Sequence, residues 1–174
     1  MRIDLLFEQA ASEAGARVER VPATPSGIGV AIERRLGGAR SVVVADGEVL
    51  APELIAAARA TKALIPKPTD DQLTTADAGI TEAFAGVAST GSVCIAMGRS
   101  RMAAASLLMP LHIVLLPIER LVSRPRDLFD PACMNGVALR RNLVIVTGPS
   151  ATADMGPLVR GVHGPRELHI LVLE

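Results

Sequence analysis

Leu143-Val144-Ile145-Val146-Thr147-Gly148-Pro149-Ser150-Ala151-Thr152-Ala153-Asp154 and, five residues after Asp154, Val159-Arg160-Gly161-Val162-His163-Gly164-Pro165-Arg166-Glu167-Leu168-His169-Ile170-Leu171-Val172-Leu173 together decide the fold. Each half joins a short, continuous apolar run to a polar loop bearing glycine and proline. A run of that kind suits a strand covered on both faces. A strand that stops at Thr147-Gly148-Pro149-Ser150 leaves backbone N–H groups and hydroxyls pointing one way, which is the geometry of an anion nest. Ligands of open α/β sheets sit at strand ends of this sort.

The rest of the chain alternates helix and strand. Leu5, Leu6, Phe7, Ala10, Ala11 and Ala14 recur at helical spacing, and Gly15 supplies a stop. Residues 17–21 alternate as an edge strand does. Pro22, Pro25 and Gly27 then mark a turn before a helix over 28–36, which Gly37-Gly38 ends. Residues 41–45 form a β-branched strand closed by Asp46-Gly47. A helix over about 53–60 follows, then a short strand at 63–65. The glycine-rich middle reads as two short strands, near 86–89 and 92–96, meeting at Thr90-Gly91, with a further one near 78–81. A helix over 102–108 and a strand over 112–116 precede a loop that carries a short helix around 131–139. The expected fold class is a single three-layer α/β/α domain whose central sheet is mostly parallel but mixed, because a hairpin is inserted in it.

Composition excludes several functions. With no Trp, no Tyr and three Phe, the chain has almost no platform for base stacking. Its 18 basic and 18 acidic residues cancel, so the electrostatic footprint of a nucleic-acid binder is absent. Zero net charge with 49% hydrophobic residues lowers repulsion between copies, so a partner surface or homo-oligomer is expected. Cys94 and Cys133 lie far apart with no Cys-x-x-Cys spacing. No iron–sulfur or zinc site can be written within this chain, and both read as small buried hydrophobes. Asp4 and Glu8 interrupt the only candidate signal peptide, and Pro110 and Pro117 break the longest apolar run, so a cytoplasmic location is expected.

Each candidate site residue has two readings. Ser150 and Thr152 are hydroxyl donors to a bound anion, or they cap a helix start with Asp154 near its dipole. His163, between Gly161 and Gly164, is a proton donor or acceptor with Arg160 and Arg166 as a carboxylate clamp, or it ties its own loop together. Thr90, Gly91 and Ser92 line a ligand, or they make a tight hairpin turn. Asp77 is a general base or a turn former. Arg99 and Arg101 read as a solvated rim, and His112 and His169 as core histidines within apolar strands. Three dispersed histidines give no metal site.

Three strings, Ala76-Asp77-Ala78-Gly79-Ile80-Thr81, Thr90-Gly91-Ser92, and Thr147-Gly148-Pro149-Ser150 through Thr152-Ala153-Asp154 with Gly161-Val162-His163-Gly164-Pro165, resemble the lactate-utilization (LUD) domain family in its stand-alone subunit form. The resemblance implies a sheet of the phosphoribose-isomerase/CoA-transferase type. It also implies membership of a multi-subunit system that oxidises L-lactate to pyruvate, with the iron–sulfur clusters in partner subunits and no cofactor in this chain. Where many family members have Glu before Thr-Gly, this chain has Ser89. Gly98-Arg99-Ser100 and Gly156-Pro157 also depart from the family pattern. The expected function is an accessory subunit that holds a small carboxylate or other anion at Thr90, Gly91, Ser92, Thr147, Gly148, Ser150, Thr152, Asp154, Arg160, His163, Gly164 and Arg166. The alternatives are a stand-alone isomerase or acyl/CoA-transferase-like enzyme, with His163 or Asp154 as acid/base, and a structural interaction module.

Overall fold

Proline or threonine sets the start of three helices, and β-branched runs set many of the strands between them. The protein, seen in a computed structural model, is described over residues 2–45, 49–97, 102–134, 142–152 and 156–174. Its helices are α1 (Ile3–Glu13), α2 (Pro25–Leu36), α3 (Pro52–Arg59), α4 (Asp70–Thr75) and α5 (Met102–Leu107). The strands are β1 (Arg17–Val21), β2 (Val42–Val44), β3 (Ala78–Glu82), β4 (Ala85–Val87), β5 (Ser92–Met97), β6 (Leu111–Pro117), β7 (Leu121–Val122), β8 (Asn142–Val146), β9 (Ala151–Thr152), β10 (Val159–Arg160) and β11 (Glu167–Leu173).

Strands β1, β11, β6, β3 and β2, in that order, form a five-stranded sheet in which every pair is parallel. Side chains alternate across it. One face carries Val21, Ile80, Ile113, Leu115, Leu171 and Leu173 against Ile28, Ile32 and Leu36 of α2 and Ile55 and Ala58 of α3. The opposite face carries Val114, Leu116, Ile170 and Val172 against Phe7 and Ala11 of α1. Also on that side, Ala105 of α5 lies over β3, so close that a Cβ on Gly79 would come within 1.8 Å of the Ala105 carbonyl oxygen. The sheet is thus flanked by helices on both faces, as the alternation of elements predicts.

The hairpin is placed by a bend. The Ala83 N–H donates to Leu115 of β6, and the next residue, Phe84, donates to Cys94 of β5, so the chain changes sheets between consecutive residues. Strand β6 does the same. It ends at Pro117, which has no N–H to offer a ladder, makes a 3₁₀ turn over Ile118–Arg120, and resumes as β7 beside β4. The antiparallel pairs β4 with β5 and β5 with β8 therefore stand in a second, four-stranded sheet of order β7, β4, β5, β8. The apolar runs at 143–146 and 168–173 belong to different sheets.

Several local readings change. The run at 63–65 makes a single bridge to Val42 rather than a strand, because its following prolines leave it no length. Helix α2 begins three residues before the expected start, where Thr24 accepts from the Gly27 N–H and Pro25 fills the first turn. Helix α4 was not anticipated; Thr69 and Gln72 build a capping box in a stretch without an apolar stripe. In the loop after β7 the helical segment is a 3₁₀ turn at Pro125–Phe129. Residues 131–134 form turns, and 135–139 lie outside the described residues.

Candidate functional site: a basic groove beside Gly15

The end of α1 gathers the glycine-bearing strings. Gly91, at φ +64°, lies so close to this helix that a Cβ would come within 2.0 Å of the Ala11 nitrogen. Gly148, at φ +67°, would bring a Cβ within 2.1 Å of the Ala14 oxygen. Both positions need glycine twice over, for the left-handed backbone and for the close approach. Between the two turns runs a chain of hydroxyls: Thr90 Oγ1 to Ser92 Oγ at 2.6 Å, and Ser92 Oγ to Thr147 Oγ1 at 2.7 Å. Ser92 is buried, so its hydroxyl serves the join between the hairpin tip and the 147–150 turn.

The two C-terminal loops are laced to each other. The Ser150 N–H donates to the Pro165 carbonyl (2.8 Å), and the Gly161 N–H donates to the Ser150 carbonyl (2.9 Å). Strands β9 and β10 pair Thr152 with Val159 and Ala151 with Arg160. Residues 151–152 are thus strand rather than helix start, which removes the cap reading, and the Ser150 N–H faces a carbonyl rather than an open nest. Gly164 sits over Ser150, with room for a Cβ only at 3.1 Å from the Ser150 Cβ. His163 is exposed. Asp154, Arg99 and Arg101 lie outside the described residues.

What the lacing brings together is charge. Arg160 and Arg166 are exposed, and neither guanidinium has a hydrogen-bond or ion-pair partner among the described residues. They line one groove of about 310 Å3 with Gly15, Arg17, Glu167 and His169. Arg17 opens β1 directly across from His169 of β11. The Glu167 carboxylate lies 3.2 Å from His169 Nε2 and 3.8 Å from Arg17. An ionised carboxylate only accepts, so Nε2 carries the ring proton. Burial lowers the His169 pKa and keeps the ring neutral, with Glu167 opposing that shift.

Arg17, Glu167 and the wall position of His169 were not legible as site features. Their proximity comes from the parallel pairing of β1 with β11, the first and last strands of the chain, and no local pattern encodes that pairing. The groove lies where these strands begin, at the edge opposite to their carboxyl ends. At the carboxyl edge, the buried Glu82 side chain accepts the N–H groups of Val49 (2.6 Å) and Leu50 (2.9 Å), holding the segment after β2.

The other candidates have structural partners. Asp77 accepts from the Arg40 N–H (2.7 Å), the Ser41 N–H (3.0 Å) and the Ser41 hydroxyl (2.9 Å), and these bonds hold its carboxyl below the usual range. That is the turn-forming reading. His112 is fully buried and bonds Thr81 through Nε2 (2.9 Å); burial pushes its pKa down to about 3. Cys94 and Cys133 meet in one apolar cluster with Phe84 and Leu128, and burial pushes the Cys94 thiol up to about 11. No group of three metal-ligating side chains occurs among the described residues. No helix among them is long and apolar enough to cross a membrane.

Comparison with known proteins agrees with this architecture. A solved structure of a DUF162 family protein from Deinococcus radiodurans superposes with a TM-score of 0.71 at 24% identity, covering 99% of this chain and 96% of that one. This likeness speaks for the fold. Lactate utilization protein C of Deinococcus radiodurans is 31% identical over 148 residues, 82% of this chain and 67% of the relative. Lactate utilization protein C of Halalkalibacterium halodurans is 36% identical over 104 residues, 57% of this chain and 45% of the relative. An uncharacterised protein of Neisseria meningitidis is 30% identical over 101 residues, 58% of this chain and 43% of the relative. The chain thus spans between about two fifths and two thirds of the length of these curated relatives. Residues 8–173 match the LUD domain, a span that takes in every strand from β1 to β11, and on that match the chain belongs to the LUD domain family.

Proposed function

We propose that this chain serves a lactate-utilization system as an accessory component, holding a small anion at its laced C-terminal loops while the iron–sulfur chemistry resides in other subunits. The naming of its relatives supports the first part. One observation carries the second: the loops that contain the family's characteristic strings present Arg160 and Arg166 to a groove with no partner for either charge among the described residues. Two guanidinium groups that line one groove without a partner among the described residues repel each other, and an anion between them relieves that repulsion. On this reading Gly148, Gly161 and Gly164 shape the loops, and Thr90, Ser92 and Thr147 tie the hairpin tip to the 147–150 turn.

Deleting the gene in its host should abolish or slow growth on L-lactate. Wild-type chain should restore growth, and the Arg160→Ala, Arg166→Ala double variant should restore it poorly. The purified chain alone, given L-lactate and an artificial electron acceptor, should make no pyruvate. Unchanged growth of the deletion strain, or pyruvate formation by the isolated chain, would contradict the accessory role.

A further inference from the structure

We infer that the groove beside Gly15 is a receptor for a small dianion, a dicarboxylate or a phosphate monoester, held jointly by Arg17 of β1 and by Arg160 and Arg166 of the laced loops. This rests on the small-anion reading above and supplies the ligand charge that reading leaves open.

Among the described residues, the lining sets three guanidinium groups against one carboxylate. Glu167 is already engaged by His169 and stands 3.8 Å from Arg17, so it offsets at most one of the three. Two positive charges remain. A monoanion leaves one of them unmatched, whereas a dianion balances the groove. The guanidinium fork also suits the acceptors of both dianion types, since carboxylate and phosphate oxygens accept two parallel N–H bonds.

Position and space agree. Arg17 is fixed to a strand that pairs along its length with β11, so one wall of the groove is set by the sheet rather than by a loop. Gly15, at φ +90°, turns the chain from α1 into β1 without a side chain in the corner. A Cβ there would meet Pro149 at 3.4 Å and the Arg160 guanidinium at 3.7 Å. The volume, about 310 Å3, is at the small end of ligand sites and fits a compound of a few carbons.

Isothermal titration at low salt and mildly alkaline pH, where phosphate monoesters carry both charges, tests this with four probes. Malonate represents the dicarboxylates, glycerol 3-phosphate the phosphate monoesters, and acetate and L-lactate the monoanions. At least one dianion should bind about tenfold or more tightly than either monoanion. Which of the two dianions wins identifies the source. Arg17→Gln should remove most of that preference, and Glu167→Gln, which removes the offsetting charge but keeps an acceptor for His169, should strengthen dianion binding. Equal affinity for all four probes, or a preference that Arg17→Gln leaves intact, overturns the inference. If the Arg160→Gln, Arg166→Gln double variant loses binding while wild type shows no charge preference, only the dianion claim fails. If that double variant binds every probe as wild type does, the underlying anion reading fails with it.

Discussion

Gly91 shows how one residue can carry a join. Its backbone lies against the Ala10 and Ala11 backbone of α1, where no side chain fits. Gly91→Ala should destabilise the protein by about 3 kcal/mol or more, since both the left-handed φ and the overlap with helix backbone must be relieved. Gly37 has a similar φ of +58° but nothing within 4 Å of a Cβ, so Gly37→Ala should lose less, about 1–3 kcal/mol of backbone strain alone. Chemical denaturation of the pair separates close approach from backbone preference; equal losses would refute the packing role. His112 offers a second test. Its folded pKa, about 3, lies below the ordinary 6.5, so between these values the unfolded chain binds a proton that the folded chain refuses. The stability from this residue is complete above pH 6.5 and falls by up to about 1.4 kcal/mol per pH unit below it. Urea midpoints measured down from neutral pH should therefore decline less steeply for His112→Asn than for wild type.

Asp77 does for two elements what Gly91 does for a turn. It receives three hydrogen bonds from Arg40 and Ser41, and the Ser41 hydroxyl also accepts from the Asp77 N–H, so the entries of β2 and β3 are fastened together. Its depressed pKa means that the stability it supplies is present above the ordinary 3.8 and is lost as pH falls through the lower folded value. Asp77→Asn should weaken the fold by about 1–2 kcal/mol at neutral pH, with a smaller difference in acid, as thermal melts at several pH values would show. If Asp77→Asn instead abolished ligand binding at full stability, the general-base reading would return. These elements are legible in the sequence where a local signal exists. Gly15 marks the end of α1, residues 42–44 a covered strand, and Thr90-Gly91 a hairpin turn. Pairing is different: nothing within 143–146 reveals that it joins the second sheet, because partner choice depends on where the chain bends at Ala83 and Phe84. The site followed the same rule. Arg160 and Arg166 announced themselves beside glycines, whereas Arg17 looked like an ordinary edge-strand residue until β11 was set next to it.

As a whole, the molecule is a parallel sheet with helices on both faces, joined through two bent strands to a smaller mixed sheet. Its basic groove lies at the amino ends of the parallel strands, the edge away from the usual crevice of such sheets. The curated relatives are longer than this chain, which itself contains both loops, β1 and β11. Anion binding at the groove should therefore be a property of this chain alone. The most direct test is a crystal soaked in selenate, a dianion whose anomalous scattering marks its position. One selenate should lie among Arg17, Arg160 and Arg166 and be absent from the Arg160→Gln, Arg166→Gln variant. Selenate bound instead at the carboxyl edge near Glu82, or a groove that stays empty while other sites fill, would contradict it.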